Sequence, residues 1–273
     1  MKSSIQEHLR QSAWPHIWCP GCGNGIVLAA ILRAIDRLNL DPADVAIVSG
    51  IGCSSRGSGF TNFNTANTLH GRALPVATGI KLSKPNMHVL VITGDGDATA
   101  IGGNHFIHAA RRNIDITTII FNNGIYGMTG GQYSPMTPTD SKASSAPYGN
   151  FEQPFDITKL AIAAGATYVA RGTSFHAAQL TSHIALGISN KGFSVIEAVT
   201  QCPIAYGRRN KMGTAAEMME WQRDSAVKAN AAARMSEEEM KDKFIVGELH
   251  NKPREEYTFA YDKLVAHAQQ RRS

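Results

Sequence analysis

No stretch of 18 consecutive apolar residues occurs among these 273, so no transmembrane helix is expected. Residues 1–14 are polar and of mixed charge, without the apolar core of a secretion signal. Nor is there a long Lys/Arg run interleaved with aromatics. The densest cationic cluster, Arg208-Arg209-Asn210-Lys211, reads as a solvated loop with capacity for an acidic partner or a phosphate. The net charge of +5 is mild, so neither nucleic acid nor membrane is expected as a partner. Cysteine is scarce, with four in the chain, and glutamate is missing altogether between Glu7 and Glu152. That gap removes glutamate from any acid–base role through the first half of the chain. With 43% hydrophobic and 18% charged residues the composition is that of a globular protein, long enough for one large α/β domain or two small ones.

The four cysteines are Cys19, Cys22, Cys53 and Cys202, spaced C-x2-C-x30-C-x148-C. Without an export signal the chain is expected in the reducing cytoplasm, where disulfides are rare and metal binding is the better use of thiols. Thiolates are soft ligands, suited to zinc or an iron–sulfur cluster rather than magnesium or calcium. The first pair lies in Trp18-Cys19-Pro20-Gly21-Cys22-Gly23, a stiff turn, poor in side chains, that can wrap backbone amides around a metal or sulfide.

Short β-branched runs at 45–50, 89–93, 116–121 and 194–199, with a weaker one at 166–170, predict strands covered on both faces. Amphipathic stretches alternate with them. Residues 25–38 place Ile26, Leu28, Ile31, Leu32 and Ile35 on one face, and 98–112, 156–165 and 176–191 follow suit. The alternation predicts a doubly wound, mostly parallel α/β sheet. Residues 127–155, rich in Pro, Ser and Thr, read as a functional loop, a lid or a partner contact. From about 207 the chain reads as a helical, charge-balanced tail, with helix over 217–234 and 237–244.

The second strand runs into Thr93-Gly94-Asp95-Gly96-Asp97, and the third into Asn122-Asn123-Gly124-Ile125. Asp95 and Asn123 are 28 residues apart, the length of one strand–helix–strand crossover, which brings both to the carboxyl edge of the sheet. Gly94 and Gly96 allow close backbone approach to a diphosphate. A carboxylate, an amide oxygen and the Ile125 carbonyl are hard donors for Mg²⁺. Each motif alone is also a good turn sequence; together they favour a magnesium–diphosphate site.

These two motifs look like the thiamine diphosphate–Mg²⁺ signature of thiamine enzymes. With Gly50-Ile51-Gly52-Cys53, His70-Gly71-Arg72-Ala73, Ile101-Gly102-Gly103-Asn104-His105-Phe106 and Tyr126-Gly127-Met128-Thr129-Gly130-Gly131-Gln132, the chain resembles the β subunit of 2-oxoacid:ferredoxin oxidoreductases over about residues 12–205. The resemblance implies a diphosphate-domain fold at 1–206, with a C-terminal extension, 207–273, packing on it or on a partner. It implies a [4Fe-4S] cluster on Cys19, Cys22, Cys53 and Cys202, and Mg²⁺ on Asp95, Asn123 and the Ile125 carbonyl. Implied cofactor contacts are Gly52, Cys53, Gly94, Asp95, Gly96, Asp97, Asn123, Ile125, Gly127, Met128 and Thr129. His70 is the implied catalytic donor, a structural histidine being the equal alternative from the residues alone.

The implied reaction is CoA-dependent oxidative decarboxylation of a 2-oxoacid, with electrons passing through the cluster to ferredoxin. The implied partner is an α subunit bearing the pyrimidine-binding domain and the activating Glu absent here, in an (αβ)2 heterotetramer. The Met128-Thr129-Gly130-Gly131-Gln132 turn looks most like the 2-oxoglutarate branch, with pyruvate or branched-chain 2-oxoacids as alternatives. Gly130 stands where some family members carry a basic residue that meets the substrate. Two other classes compete: a non-redox thiamine enzyme with a structural four-cysteine zinc, and a non-catalytic metal-stapled module. His105 and His108 lack a third ligand and read as core or interface histidines.

Overall fold

The computed structural model describes residues 5–271, so the first four residues of the 1–14 segment lie outside the described residues. Strands are β1 Val45–Ser49, β2 Asn64–Asn67, β3 His88–Gly94, β4 Thr117–Asn122, β5 Tyr168–Thr173, β6 Ser194–Val199, β7 Ala226–Lys228 and β8 Phe244–Asn251. Helices are α1 Asn24–Arg37, α2 Gly52–Gly59, α3 Ala73–Ser83, α4 Asp95–Thr99, α5 Gly103–Arg112, α6 Ile157–Ala164, α7 Ala177–Ser189, α8 Ala215–Ser225, α9 Ala229–Ala232 and α10 Tyr257–Gln270. The sheet order is β2-β1-β3-β4-β6-β5-β8-β7. All neighbours from β2 to β5 run parallel, while β8 pairs antiparallel with β5.

Alternation along the strands divides the core. Ile47, Leu90, Ile92, Ile119, Phe121 and Ile196 pack with α1 and α7 on one face. Val48, Val89, Val91, Ile120 and Val195 pack with α3, α5 and α6 on the other. Two covered faces explain why these strands read as unbroken apolar runs. On α1, Leu28, Ile31, Leu32 and Ile35 are buried as expected, but Val27 takes the place of the half-buried Ile26.

Four expectations need correction. The helix over 98–112 is two helices, α4 and α5, broken at Ala100–Gly102; a Cβ on Gly102 would stand 2.3 Å from the Asp97 carbonyl. The weak strand is displaced to Tyr168–Thr173. The tail is helical in α8 and α10, yet 226–228 forms β7 and the stretch from Phe244 forms β8, where helix was expected. The 127–155 loop is no free lid: Ser134, Met136, Thr137, Ala143 and Asn150 are buried, leaving Tyr148 and Phe151 exposed.

One buried network props the end of β4. Arg171 and Glu197 are register partners on β5 and β6, 2.6 Å apart, and Arg171 also meets Asp156 at 2.8 Å. Glu197 accepts a further bond from Asn122 (2.7 Å), the residue before Asn123. Replacing Arg171 by Leu strands the buried Glu197 carboxylate and is expected to cost about 3–5 kcal/mol at neutral pH, read by chemical denaturation. Burial works to raise the Asp156 pKa, but the Thr158 hydrogen bond and the Arg171 charge outweigh it and hold it below its ordinary 3.8. A depressed carboxylate stabilises the fold above its unfolded value, and that contribution fades as pH falls through the lower folded value. The penalty of Arg171→Leu should therefore shrink below about pH 4; a penalty independent of pH would remove Asp156 from the account.

Candidate active site

β1, β3, β4 and β6 are consecutive parallel neighbours, so their carboxyl ends share one edge of the sheet. Cys53 sits in the first turn of α2, Asp95 opens α4 directly after β3, Asn123 follows β4, and Cys202 lies three residues past β6. Two adjoining cavities open along this edge.

The first brings together every residue expected to touch the diphosphate cofactor, Gly52 through Thr129, and His70. Asp95 is 2% exposed and accepts a short bond from Ser134 Oγ. Burial pushes its carboxyl up to about 7, against the Ser134 bond and backbone amides of Asp95, Gly96 and Asn123. No cation among the described residues pairs with it. A buried carboxylate of this kind is costly unless an ion compensates it. Asn123 Oδ1 accepts from the Ile125 amide (3.2 Å), an Asx turn that presents its amide beside the Ile125 carbonyl. Asp95, Asn123 and Ile125 line this one cavity, and a carboxylate, an amide oxygen and a backbone carbonyl are oxygen donors of the kind Mg²⁺ takes.

The glycines have a different immediate reason from the one read in the sequence. A Cβ on Gly96 would lie 2.3 Å from the Tyr126 ring, and one on Gly94 would stand 3.0 Å from Ser54 Oγ. Tyr126 donates to the Gly96 carbonyl (3.0 Å) and sets its ring edge-on to His70 at 6.0 Å. Gly96→Ala is expected to displace this ring at about 1–3 kcal/mol of overpacking. Combined with Tyr126→Ala, it should add almost nothing, because the clash is gone. Strictly additive losses in thermal denaturation would refute the clash.

Asp97 does not face the cofactor cavity as a free ligand. Its carboxylate accepts from His70 Nδ1, the Gly71 amide (2.7 Å), Thr93 Oγ1 (3.0 Å) and the Ile51 amide (3.4 Å). Two loops and the end of β3 are pinned by one side chain, and a Cβ on Gly50 would strike it at 1.8 Å. Because the carboxylate accepts, Nδ1 carries the His70 proton and Nε2 is left as the free ring nitrogen. His70, a third exposed, lines the cavity. Elsewhere His105 Nε2 accepts from the Arg72 guanidinium, and His108 is exposed. Burial, then the Arg72 charge, lowers the His105 pKa. This pair is no metal site.

The second cavity gathers all four cysteines with Trp18, Asn123, Gly127, Met128 and the Pro203–Ala205 turn. Trp18 Nε1 donates to the Cys53 carbonyl (2.7 Å), and its ring packs edge-on against Phe60. The Gly23 amide bonds the Gln201 carbonyl (3.2 Å), while Gln201 Nε2 bonds the Gly21 carbonyl (3.0 Å). The Cys19–Cys22 turn is thereby tied to both of the other cysteine segments. Burial, with the neighbouring thiols adding, pushes Cys22 up to about 12 and Cys53 to about 11, and burial likewise raises Cys202. Among the described residues no three His, Cys, Asp or Glu side chains converge tightly enough for a ready single-ion site; the thiols are spread over the cavity wall.

Among the described residues five side chains hold buried polar atoms without a protein partner, and four of them, His16, Asn24, Ser55 and Thr200, lie two or three residues from a cysteine in sequence. Four soft donors lining one cavity suit zinc or an iron–sulfur cluster. Ser134, Tyr126 and Glu197 carry no sequence signal for these roles. Their partners lie 30 to 75 residues away.

A parallel sheet with Gly-Asp-Gly and Asn-Asn at adjoining strand ends defines the thiamine diphosphate-binding class. Residues 50–198 match the family model "Thiamine pyrophosphate enzyme, C-terminal TPP binding domain". The chain is 52% identical to the 2-oxoglutarate synthase subunit KorB of Methanocaldococcus jannaschii, across 95% of this chain and 96% of that one. It is 45% identical to the 2-oxoacid:ferredoxin oxidoreductase 1, subunit beta, of Aeropyrum pernix, over 71% and 60% of the two chains. The fold matches a 2-oxoglutarate:ferredoxin oxidoreductase from Magnetococcus marinus, solved with 2-oxoglutarate, coenzyme A and succinyl-CoA bound. The TM-score is 0.87 at 31% identity, covering 98% of this chain and 91% of that one. The chain belongs to the β-subunit family of the 2-oxoacid:ferredoxin oxidoreductases.

Proposed function

We propose that, with an α subunit, this chain carries out CoA-dependent oxidative decarboxylation of 2-oxoglutarate to succinyl-CoA and CO₂, passing electrons to ferredoxin. One observation carries the redox reading: the cofactor cavity and the cysteine cavity share a wall made of Cys53, Asn123, Gly127 and Met128. At Gly127 a Cβ would lie 3.6 Å from Cys202 Sγ and 3.7 Å from Cys53 Sγ, so this bare backbone separates the two sites. Bound thiamine diphosphate supplies an electron sink for loss of CO₂, and a [4Fe-4S] cluster supplies a one-electron acceptor beside it.

Asp95, Asn123 and the Ile125 carbonyl would hold Mg²⁺ on the diphosphate, with Ser134 fixing the Asp95 carboxylate. Cys19, Cys22, Cys53 and Cys202 would hold the cluster, and the raised pKa values of Cys22, Cys53 and Cys202 mean that loading releases protons from those thiols. Asp97 fixes the His70 tautomer so that Nε2 presents its lone pair to a substrate proton, and can donate to a substrate oxygen only once it has taken that proton up. Tyr126, raised to about 12 by burial and then by Asp95 and Asp97, stays a neutral donor that closes the cavity beside His70.

Of the two carboxylates lining the cofactor cavity, Asp95 is assigned to Mg²⁺ and Asp97 is engaged by His70, Gly71, Thr93 and Ile51, and no glutamate lines it. The activating carboxylate is therefore assigned to the α subunit, in an (αβ)2 assembly. The exposed Leu69 and Ile101 are apolar surface for that contact. Residues 207–273 serve as an extension of the 1–206 binding domain, joined to it through β8. The exposed Phe259, Tyr261 and Leu264 of α10 face the partner. No helix among the described residues is long and apolar enough to cross a membrane, in keeping with a cytoplasmic placement.

Anaerobic purification tests the proposal. The αβ complex should be brown and dithionite-bleachable, and should reduce viologen with 2-oxoglutarate and CoA faster than with pyruvate or branched 2-oxoacids. β alone should keep its colour and fail to turn over. A colourless, zinc-containing protein would overturn the redox reading.

A further inference from the structure

The cationic cluster of the sequence takes no part in the two cavities, yet the fold places it beside one of them. Arg208 and Arg209 follow directly on a π-helical turn, Pro203–Gly207, that begins at Cys202. Asn210 accepts from the Lys142 amide (2.7 Å) and donates to the Lys142 carbonyl (3.1 Å), which brings Lys142 from the 127–155 loop next to Lys211. Arg208, Arg209, Lys211 and Lys142 are all exposed. None is in an ion pair among the described residues, whereas the exposed Arg223 and Lys263 pair with Asp224 and Glu255. Arg209 also donates to the Gly130 carbonyl (3.3 Å), at the end of the turn whose Gly127 lies against the Cys53 and Cys202 sulfurs.

On the wall of the cysteine cavity the surface is apolar. Ile17 and Ile204, 60% and 37% exposed, both line it, and Cys19 itself is exposed. An apolar centre over a redox site, flanked by unpaired cations, has the make-up of a transient docking surface. The charges steer encounter and orient the partner, and the small apolar centre lets it leave.

We infer that this face, with Ile17, Ile204 and Cys19 at its centre and Arg208, Arg209, Lys211 and Lys142 on its rim, docks the electron carrier, a small iron–sulfur protein with an acidic face. The inference rests on the proposed reading of the four cysteines as a cluster site. Each 2-oxoacid oxidised yields two electrons, which leave singly and reduce two one-electron carriers in turn. The carrier must therefore bind and release twice per turnover, which favours electrostatic steering over tight contact.

The test uses the αβ complex bearing Arg208→Glu and Lys142→Glu, two side chains with no bond to the cavity walls; Arg209 is left intact because it supports the Gly130 turn. At low ionic strength kcat/KM for ferredoxin should fall about tenfold or more, and its steep decline with NaCl should flatten. Viologen-linked turnover, visible spectrum and KM for CoA should stay unchanged. Unchanged ferredoxin kinetics would overturn the inference. So would a raised KM for CoA with viologen as acceptor, which would make the cluster a phosphate site. Should the variant not assemble, a flat salt profile of the unaltered complex with ferredoxin overturns it equally. Absence of viologen-linked turnover in the unaltered complex would instead strike the reading of the cysteine site.

Discussion

Asp95→Ala is expected to weaken thiamine diphosphate retention by about 100-fold or more, since even second-shell partners of a metal cost 10–100-fold. The brown colour should survive, because the hydrogen-bond partners of Asp95 are Ser134 and backbone amides rather than a cysteine. The size of the stability change separates a ligand from a structural residue. Asp95 is buried, its carboxyl is pushed up to about 7 by that burial, and no cation among the described residues repays the cost. Removing it should change the stability of the cofactor-free protein little, because relief of that burial offsets the bonds lost from Ser134 and the backbone amides. Cofactor content after gel filtration, the visible spectrum and a cofactor-free melting curve provide the three readings. A destabilised protein that still retains the cofactor would show that Asp95 serves the fold.

The reciprocal result is expected of Cys53→Ala. Visible absorbance from the cluster should be lost nearly completely, while thiamine diphosphate stays bound. The tie between the N-terminal turn and α2 uses the Cys53 carbonyl, which Trp18 reaches at 2.7 Å, and an alanine keeps it. The cost to the cofactor-free fold should therefore be small, within about 1–2 kcal/mol for one buried sulfur. Iron content, spectrum and cofactor content of the two variants together form the decisive comparison. If either substitution removes both groups, the shared wall is a single structural unit and the two sites are not separable.

Much of this edge is legible in the sequence alone. Val89 to Thr93 and Ile116 to Phe121 read as strands because covering on both faces demands unbroken apolar runs. The 28 residues from Asp95 to Asn123 fit one crossover. β2 was illegible: Asn64–Asn67 is a polar, half-exposed edge strand whose pairing comes from β1 rather than from its own pattern. β8 was misread because Phe244–Asn251 becomes a strand by pairing with β5, a long-range contact that outweighs local helix preference. Gly96 was correctly marked as a special position, but its neighbour is the Tyr126 ring, 30 residues on.

By itself the sequence determined the donor chemistry: four soft thiolates, one set of hard oxygens, and strands of a length and pattern that bring both to loop ends. Those are properties of residue type and local spacing. Only the tertiary structure decided that β1, β3, β4 and β6 stand side by side, and so that the two donor sets share the wall at Cys53, Asn123, Gly127 and Met128. The same packing gave Asp97 to His70, Ser134 to Asp95, and Lys142 to the cations beyond Cys202. Each is a polar contact between segments remote in sequence, set by strand order and side-chain direction, which no local pattern encodes.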